Sequence, residues 1–215
     1  MALVDGLIKT GYLKTGRIIK AFRAIRRADF LSPMPEISDR ENRVINQLAE
    51  LNEALPIGFG QTISQPAVVA FMLELLDPYP GQKILDVGSG SGWTTALLAE
   101  IVAAGKKNGK VVAIERIPAL RDFGRNNVAR YGFIASGVVS YELGDGRLGF
   151  PKEASFDRIL ASAAGEALSV AWKDQLNPGG IIVAPLRHSI WKFTKVEDGS
   201  LLAVEYPGFA FVPLV

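Results

Sequence analysis

From Lys83 to Gly92 the chain reads KILDVGSGSG, and the residue types in this stretch suit the close binding of a nucleotide. Gly88, Gly90 and Gly92 alternate along the stretch. Glycine has no Cβ and tolerates positive φ, so a loop built from it folds tightly and lets backbone approach a ligand. Ile84, Leu85 and Val87 just before it form the short apolar run of a buried parallel strand. The helix expected next, Trp93 to Ala103, opens with unpaired N–H groups. A dinucleotide fold requires G-x-G-x-x-G, but the sixth position is Trp93 counted from Gly88 and Thr95 counted from Gly90. The pattern is instead D-x-G-x-G-x-G, with Asp86 two positions before the first glycine.

Two further carboxylates fall where such a loop would use them. Glu115 closes the next apolar run, KVVAIE, where an acidic residue at a strand end binds ribose hydroxyls. It lies 27 positions after Gly88, and the polar stretch Gly105 to Gly109 accounts for the extra length as a longer loop. Asp145, in the GDG of residues 144–146, ends a third run and is placed to accept from an adenine amino group. With no cysteine and one histidine, His188, the chain has no disulfide, no thiolate nucleophile and no histidine-rich metal site; we expect no metal.

Around these residues the pattern alternates strand and helix. Strands are expected at 110–115, 138–143, 156–161 and 180–184, with helices at 119–131 and 166–176. That alternation implies a parallel sheet covered on both faces. Asp198-Gly199 marks a hairpin turn between two terminal strands, which run antiparallel. Ahead of the glycine loop, residues to Phe30 read as two short amphipathic helices with a solvated basic face of Arg17, Lys20, Arg23, Arg26 and Arg27. Pro33 and Pro35 break the chain, and Ser38 with Glu41 is a capping-box signature. The helix after it carries Val44, Ile45, Leu48, Leu51 and Leu55 on one face and is expected to pack onto the domain or cover its site. LPIGFGQTISQP, from Leu55 to Pro66, reads as a turn-rich stretch, with Pro66 in the first turn of another helix. At 215 residues the chain is long enough for one domain, and 48% hydrophobic with 21% charged residues fits a globular enzyme. The net charge of +2 does not argue for nucleic acid. No apolar run approaches a membrane span, and the N-terminus lacks a signal-peptide core, so a cytoplasmic protein is expected.

The D-x-G-x-G-x-G stretch resembles the first motif of the S-adenosylmethionine-dependent methyltransferases. The order LPIGFGQTISQP, LDVGSGSG, AIERI, GDGRLGFP, a DRI strand, DQLNPGG and a terminal FVPL is similar to that of the protein-L-isoaspartate (D-aspartate) O-methyltransferases over nearly the whole chain. GQTISQP is the specific part. The resemblance implies an α/β, Rossmann-like methyltransferase fold: a mostly parallel seven-stranded sheet, helices on both faces and an antiparallel C-terminal hairpin. It divides the single domain into an N-terminal helical cover with the GQTISQP substrate loop, 1–80, and a cofactor-binding core, 81–215. It also implies methyl transfer from S-adenosyl-L-methionine to the carboxylate of isoaspartyl or D-aspartyl residues in damaged proteins, leading to repair through a succinimide. A monomer acting on proteins or peptides, with no nucleic acid and no membrane partner, is expected. Ser64 then matches the serine that holds the substrate carboxylate, with a helix cap as its other role. Thr62 and Ile63 lie beside the cofactor. The whole expected cofactor set is Thr62, Ile63, Ser64, Asp86, Gly88, Ser89, Gly90, Gly92, Glu115, Arg116, Asp145 and Gly146.

Three stretches depart from the family pattern, all on the acceptor side: residues 33–54, 161–172 and 185–193. They leave open a different carboxylate or peptide acceptor, or a homologue that binds cofactor without turnover. Arg187 and His188 either lend positive charge to a substrate carboxylate or are solvated strand-end residues.

Overall fold

The computed structural model describes residues 2–31 and 38–214. Helices α1 (Ala2–Lys9) and α2 (Gly16–Ala24) and a 3₁₀ turn, Arg27–Phe30, precede α3 (Asp39–Ala49). A hairpin of β1 (Leu55–Gly58) and β2 (Gln61–Ile63) leads into α4 (Pro66–Leu76). Then come β3 (Lys83–Val87), α5 (Trp93–Val102), β4 (Lys110–Glu115), α6 (Pro118–Ala129), β5 (Val139–Leu143), β6 (Phe156–Ala161) and α7 (Val170–Asp174). Three longer strands end the chain: β7 (Leu176–Leu186), β8 (Ser189–Lys195) and β9 (Leu201–Pro207). The main sheet has seven strands in the order β5-β4-β3-β6-β7-β8-β9. Strands β3 to β7 pair in parallel, and β8 and β9 are antiparallel additions.

This order makes β3 the switch point. The chain steps from β3 outward to β4 and β5, then returns to β6 on the other flank, so loops leaving β3 and β4 diverge from those leaving β6. Open parallel sheets bind ligands in the crevice this leaves at the carboxyl ends of their strands. The fold is the expected one, with unequal cover on its two faces. On one face Ile84, Val111 and Leu160 pack in one core with side chains of α1, α2, α4, α5 and α6. On the other, Leu85, Val112, Ile159 and Ile182 pack with Trp172 of short α7 and with Phe150 and Leu168. Among the described residues no helix is long and apolar enough to cross a membrane.

Several expectations change. The helix over 166–176 is reduced to Val170–Asp174. The residues just ahead of it are drawn into extended bridges, Gly165 beside Leu186 and Ala164 beside Pro213, and 166–169 are not helical. Beta pairing also lengthens the strand expected at 180–184 to Leu176–Leu186. LPIGFGQTI is a two-stranded hairpin rather than a bare turn, pairing Leu55 with Ile63 and Pro56 with Thr62. The capping box at α3 is present, Ser38 Oγ accepting from Glu41 N and Glu41 Oε2 from Ser38 N. The apolar stripe that follows is not core: Val44, Leu48 and Leu51 are exposed and only Ala49 of α3 is buried. Pro33 and Pro35 lie outside the described residues. Arg27, read as part of a solvated face, is buried.

Candidate active site

The glycine loop is held at both ends. Gly88 N and Ser89 N both donate to Ile114 O of β4, at 2.9 and 3.1 Å. All three glycines have positive φ, +74°, +52° and +87° in chain order. At Gly92 space also forbids a side chain, since a Cβ would lie 2.8 Å from Gly124 O and 2.9 Å from Val128 Cγ2. The contact is reciprocal: a Cβ on Gly124 of α6 would lie 2.1 Å from Tyr141 Oη and 2.5 Å from Gly90 O. Asn127, also on α6, donates through Nδ2 to Ser91 O at 3.0 Å. The loop is therefore shaped by α6 as much as by its own glycines.

Glu115 locks the loop from the β4 side. Its Oε2 accepts from Gly90 N at 2.9 Å, and Oε1 accepts from Arg116 N and Ile117 N at 2.9 and 3.0 Å. Asp86 sits beneath the loop, fully buried, with Oδ2 accepting from Thr95 Oγ1 at 2.6 Å and Oδ1 without a partner. Burial pushes its carboxyl up to about 7, the Thr95 hydrogen bond opposes this, and the nearby Glu115 charge adds to it. Burial likewise raises the Tyr141 phenol, whose Oη lies 3.4 Å from Gly90 O. On the third strand end, Asp145 turns to Arg147, accepting from its backbone N at 2.9 Å and pairing with Nη2 at 2.7 Å. The Arg147 hydrogen bond holds the Asp145 carboxyl below the usual range. Gly146 is held instead: Trp172 Nε1 donates to its carbonyl at 2.7 Å, and a Cβ there would meet Val87 Cγ1 at 2.4 Å.

These elements enclose a cavity of about 390 Å³, within the size range of small-molecule sites. Of the expected residues, Thr62, Ile63, Ser64, Gly88, Ser89, Gly90, Glu115, Arg116 and Gly146 line it. Asp86, Gly92 and Asp145 stand behind or beside its walls. Ile57, Ile114, Ile117, Pro118 and Leu214 add an apolar lining that the sequence did not single out. A second cavity of about 530 Å³ adjoins it, walled by residues 52–54, by Gln65 and Val68 of the α4 start, and by 210–212 of the tail. Thr62, Ser64, Ser162 and Val212 line both cavities and so form their common wall.

A family model, Protein-L-isoaspartate(D-aspartate) O-methyltransferase, matches residues 1–215. The chain belongs to this family. It is 42% identical to the protein-L-isoaspartate O-methyltransferase of Methanopyrus kandleri over 217 residues, covering 99% of this chain and 89% of that protein. The relative of the same name from Pyrococcus horikoshii is 38% identical, with 99% and 90% covered. In fold, the chain is similar to a Plasmodium falciparum protein-L-isoaspartate O-methyltransferase crystallised with S-adenosyl-L-homocysteine, with a TM-score of 0.82 at 22% identity, covering 99% and 96% of the two chains.

In this member of the methyltransferase family Ser64 does not cap α4. The N-cap is Gln65, with no side-chain cap, and Pro66 follows in the first turn. Ser64 is instead fixed through its backbone by Arg27. Buried at 5% exposure, Arg27 donates to the carbonyls of Glu53, Leu51 and Ser64 at 2.7, 3.0 and 3.3 Å. Its guanidinium also lies 5.4 Å from the ring of Trp93, a residue of the first cavity. Burial lowers its pKa to about 10, so it remains charged at neutral pH. Arg187 pairs with Glu166 at 3.4 Å, and neither Arg187 nor His188 lines either cavity.

Proposed function

We propose that this chain methylates the free carboxylate of L-isoaspartyl or D-aspartyl residues in damaged proteins, with S-adenosyl-L-methionine as methyl donor. The observation that carries the reading is the shared wall: a glycine-walled cavity and a second, open cleft meet at Thr62, Ser64, Ser162 and Val212. When bound, S-adenosyl-L-methionine supplies an electrophilic methyl on a sulfonium.

The residues present fit that cofactor. Positive φ at Gly88 and Gly90 brings backbone to the cavity without side chains. A carboxylate offers about four acceptor sites. Glu115 uses three on backbone N–H groups and keeps one for a ribose hydroxyl. Ile114, Ile117 and Pro118 supply apolar surface for a base. Asp86 and Gly92 shape the loop from behind, and Gly146, rather than the Arg147-paired Asp145, forms the rim beside it.

Balance explains why the transfer needs no general base. An oxygen lone pair of the acceptor forms the new C–O bond, the C–S pair stays on sulfur, and no proton is released. A carboxylate is already ionised at neutral pH, its reference pKa being about 4. The protein has to desolvate it and align it, so positioning carries the rate. Ser64 suits this role, because a hydroxyl orients an anion without neutralising it.

The test uses labelled S-adenosyl-L-methionine and matched peptides with isoaspartate or aspartate at one position. Label should enter the isoaspartyl peptide as a base-labile ester and leave the aspartyl peptide unlabelled. Equal transfer to both, or transfer to neither, overturns the assignment.

A further inference from the structure

The methyl group must cross from one cavity to the other, so a residue lining both is placed beside its path. Four do, and three carry hydroxyls: Thr62, Ser64 and Ser162. Ser162 comes from a different part of the fold from the other two, just past β6 rather than beside β2. Its backbone is pinned, Ser162 N donating to Val87 O at 2.9 Å. Its carbonyl carbon lies 4.0 Å from where a Cβ on Gly88 would stand, which sets it against the glycine loop. Two residues on, Ala164 is clasped by the tail through Val212 O and Leu214 N, both at 2.8 Å.

Two polar side chains of the cleft, Asn52 and Gln65, are already engaged. Asn52 Oδ1 accepts from Ala67 N, and Gln65 Nε2 donates to Asn52 O, both at 2.9 Å. Nη1 and Nη2 of Arg27, which lines neither cavity, are committed to backbone carbonyls. The Ser64 and Ser162 hydroxyls, by contrast, have no hydrogen bond within the described residues. One hydroxyl holding a carboxylate leaves its plane free to rotate. Two hydroxyls from separate elements fix the plane and leave a lone pair of the attacking oxygen unencumbered.

We propose that Ser162 is a second substrate-holding hydroxyl, which together with Ser64 fixes the plane of the acceptor carboxylate at the junction of the two cavities. This rests on the methyl-transfer reading above. Ser162→Ala should lower kcat/KM for the isoaspartyl peptide roughly tenfold, the range of one hydrogen bond to a charged group. It should weaken binding of that peptide to protein saturated with S-adenosyl-L-homocysteine by a similar factor. The affinity for S-adenosyl-L-homocysteine itself, measured by calorimetry, should stay within twofold. Ser162→Thr should recover most of the loss. In the Ser64→Ala, Ser162→Ala pair the combined loss should fall short of the product of the single losses, because both groups hold one ligand.

If Ser162→Ala keeps both peptide readouts within twofold of wild type, Ser162 does not hold the acceptor. A loss of S-adenosyl-L-homocysteine affinity as large as the peptide effect moves Ser162 to the cofactor side and equally overturns the proposal. Wild-type protein that does not distinguish isoaspartyl from aspartyl peptide would sink the methyl-transfer reading itself, a result separable from any behaviour of the variant.

Discussion

Glu115 does two jobs with one carboxylate: it ties Gly90 to the start of the next loop and it faces the cavity. Glu115→Gln leaves one acceptor oxygen in place of two, so either Gly90 N or the pair at Arg116 and Ile117 loses its partner. A buried donor left unpaired costs about 1–3 kcal/mol. Calorimetry should therefore show tenfold or greater loss of S-adenosyl-L-homocysteine affinity, and chemical denaturation a comparable drop in stability; unchanged values in both would remove Glu115 from the loop lock. Asp86 acts one layer deeper, and its effect is on pH. Its folded pKa of about 7 is raised from 3.8, so the native state holds the proton more tightly than the unfolded chain. The stability this contributes is full below about pH 4 and is lost as pH rises through about 7. Asp86→Asn keeps an oxygen for Thr95 and cannot ionise. The stability of the variant relative to wild type should rise across that window by a few kcal/mol, on the order of the shift converted at about 1.4 kcal/mol per unit. A difference that is flat with pH would show that Asp86 titrates normally.

At the scale of elements, the glycine loop is packed by α6, and Gly124 is the contact. Gly124→Ala gains up to about 1 kcal/mol of helix propensity. Its methyl, however, would sit 2.1 Å from Tyr141 Oη and 2.5 Å from the Gly90 carbonyl, which is backbone and cannot swing aside. Overpacking of this kind costs about 1–3 kcal/mol. The variant should be less stable and should bind S-adenosyl-L-homocysteine more weakly, whereas Gly6→Ala in α1, at a site with nothing within 4 Å, should leave affinity unchanged. Equal affinity in both would deny that α6 shapes the loop. The β3–loop–α5 unit was legible in the sequence because its signals are local: an apolar run, then glycines, then helical spacing. An isolated glycine inside a helical pattern hints at close packing but does not name its partner, so Gly124 passed unread. Arg27 was misread for a similar reason. A basic residue near an amphipathic helix is normally solvated, and the carbonyls that bury it lie 24 to 37 residues further along. The stripe of α3 shows the converse, since periodicity announced a helix but neither its end at Ala49, with Leu55 already in β1, nor which face would be covered.

Across the whole molecule, the glycine-walled cavity is built from segments far apart in sequence, three of them Thr62 to Ser64, the loop of residues 88–91 and the tail of residues 212–214. The tail is anchored away from the site as well, Phe209 stacking on Phe71 of α4 with ring centroids 5.5 Å apart. No local pattern could announce that assembly, because it depends on β6, β7 and the tail being brought together by the sheet. A ligand bound there couples the three segments. At a hundredfold excess over its Kd, S-adenosyl-L-homocysteine should stabilise the fold by about 2.7 kcal/mol, raising Tm by roughly 5–10 °C for a chain of this size. Hydrogen exchange gives the sharper test. Amides that exchange by local opening should slow together in the 61–64, 88–92 and 212–214 segments, while those on the free edge of β9, on the far side of the sheet, should exchange as before. Slowing confined to 88–92 would mean that the hairpin and the tail are neighbours of the cofactor site and not part of its wall.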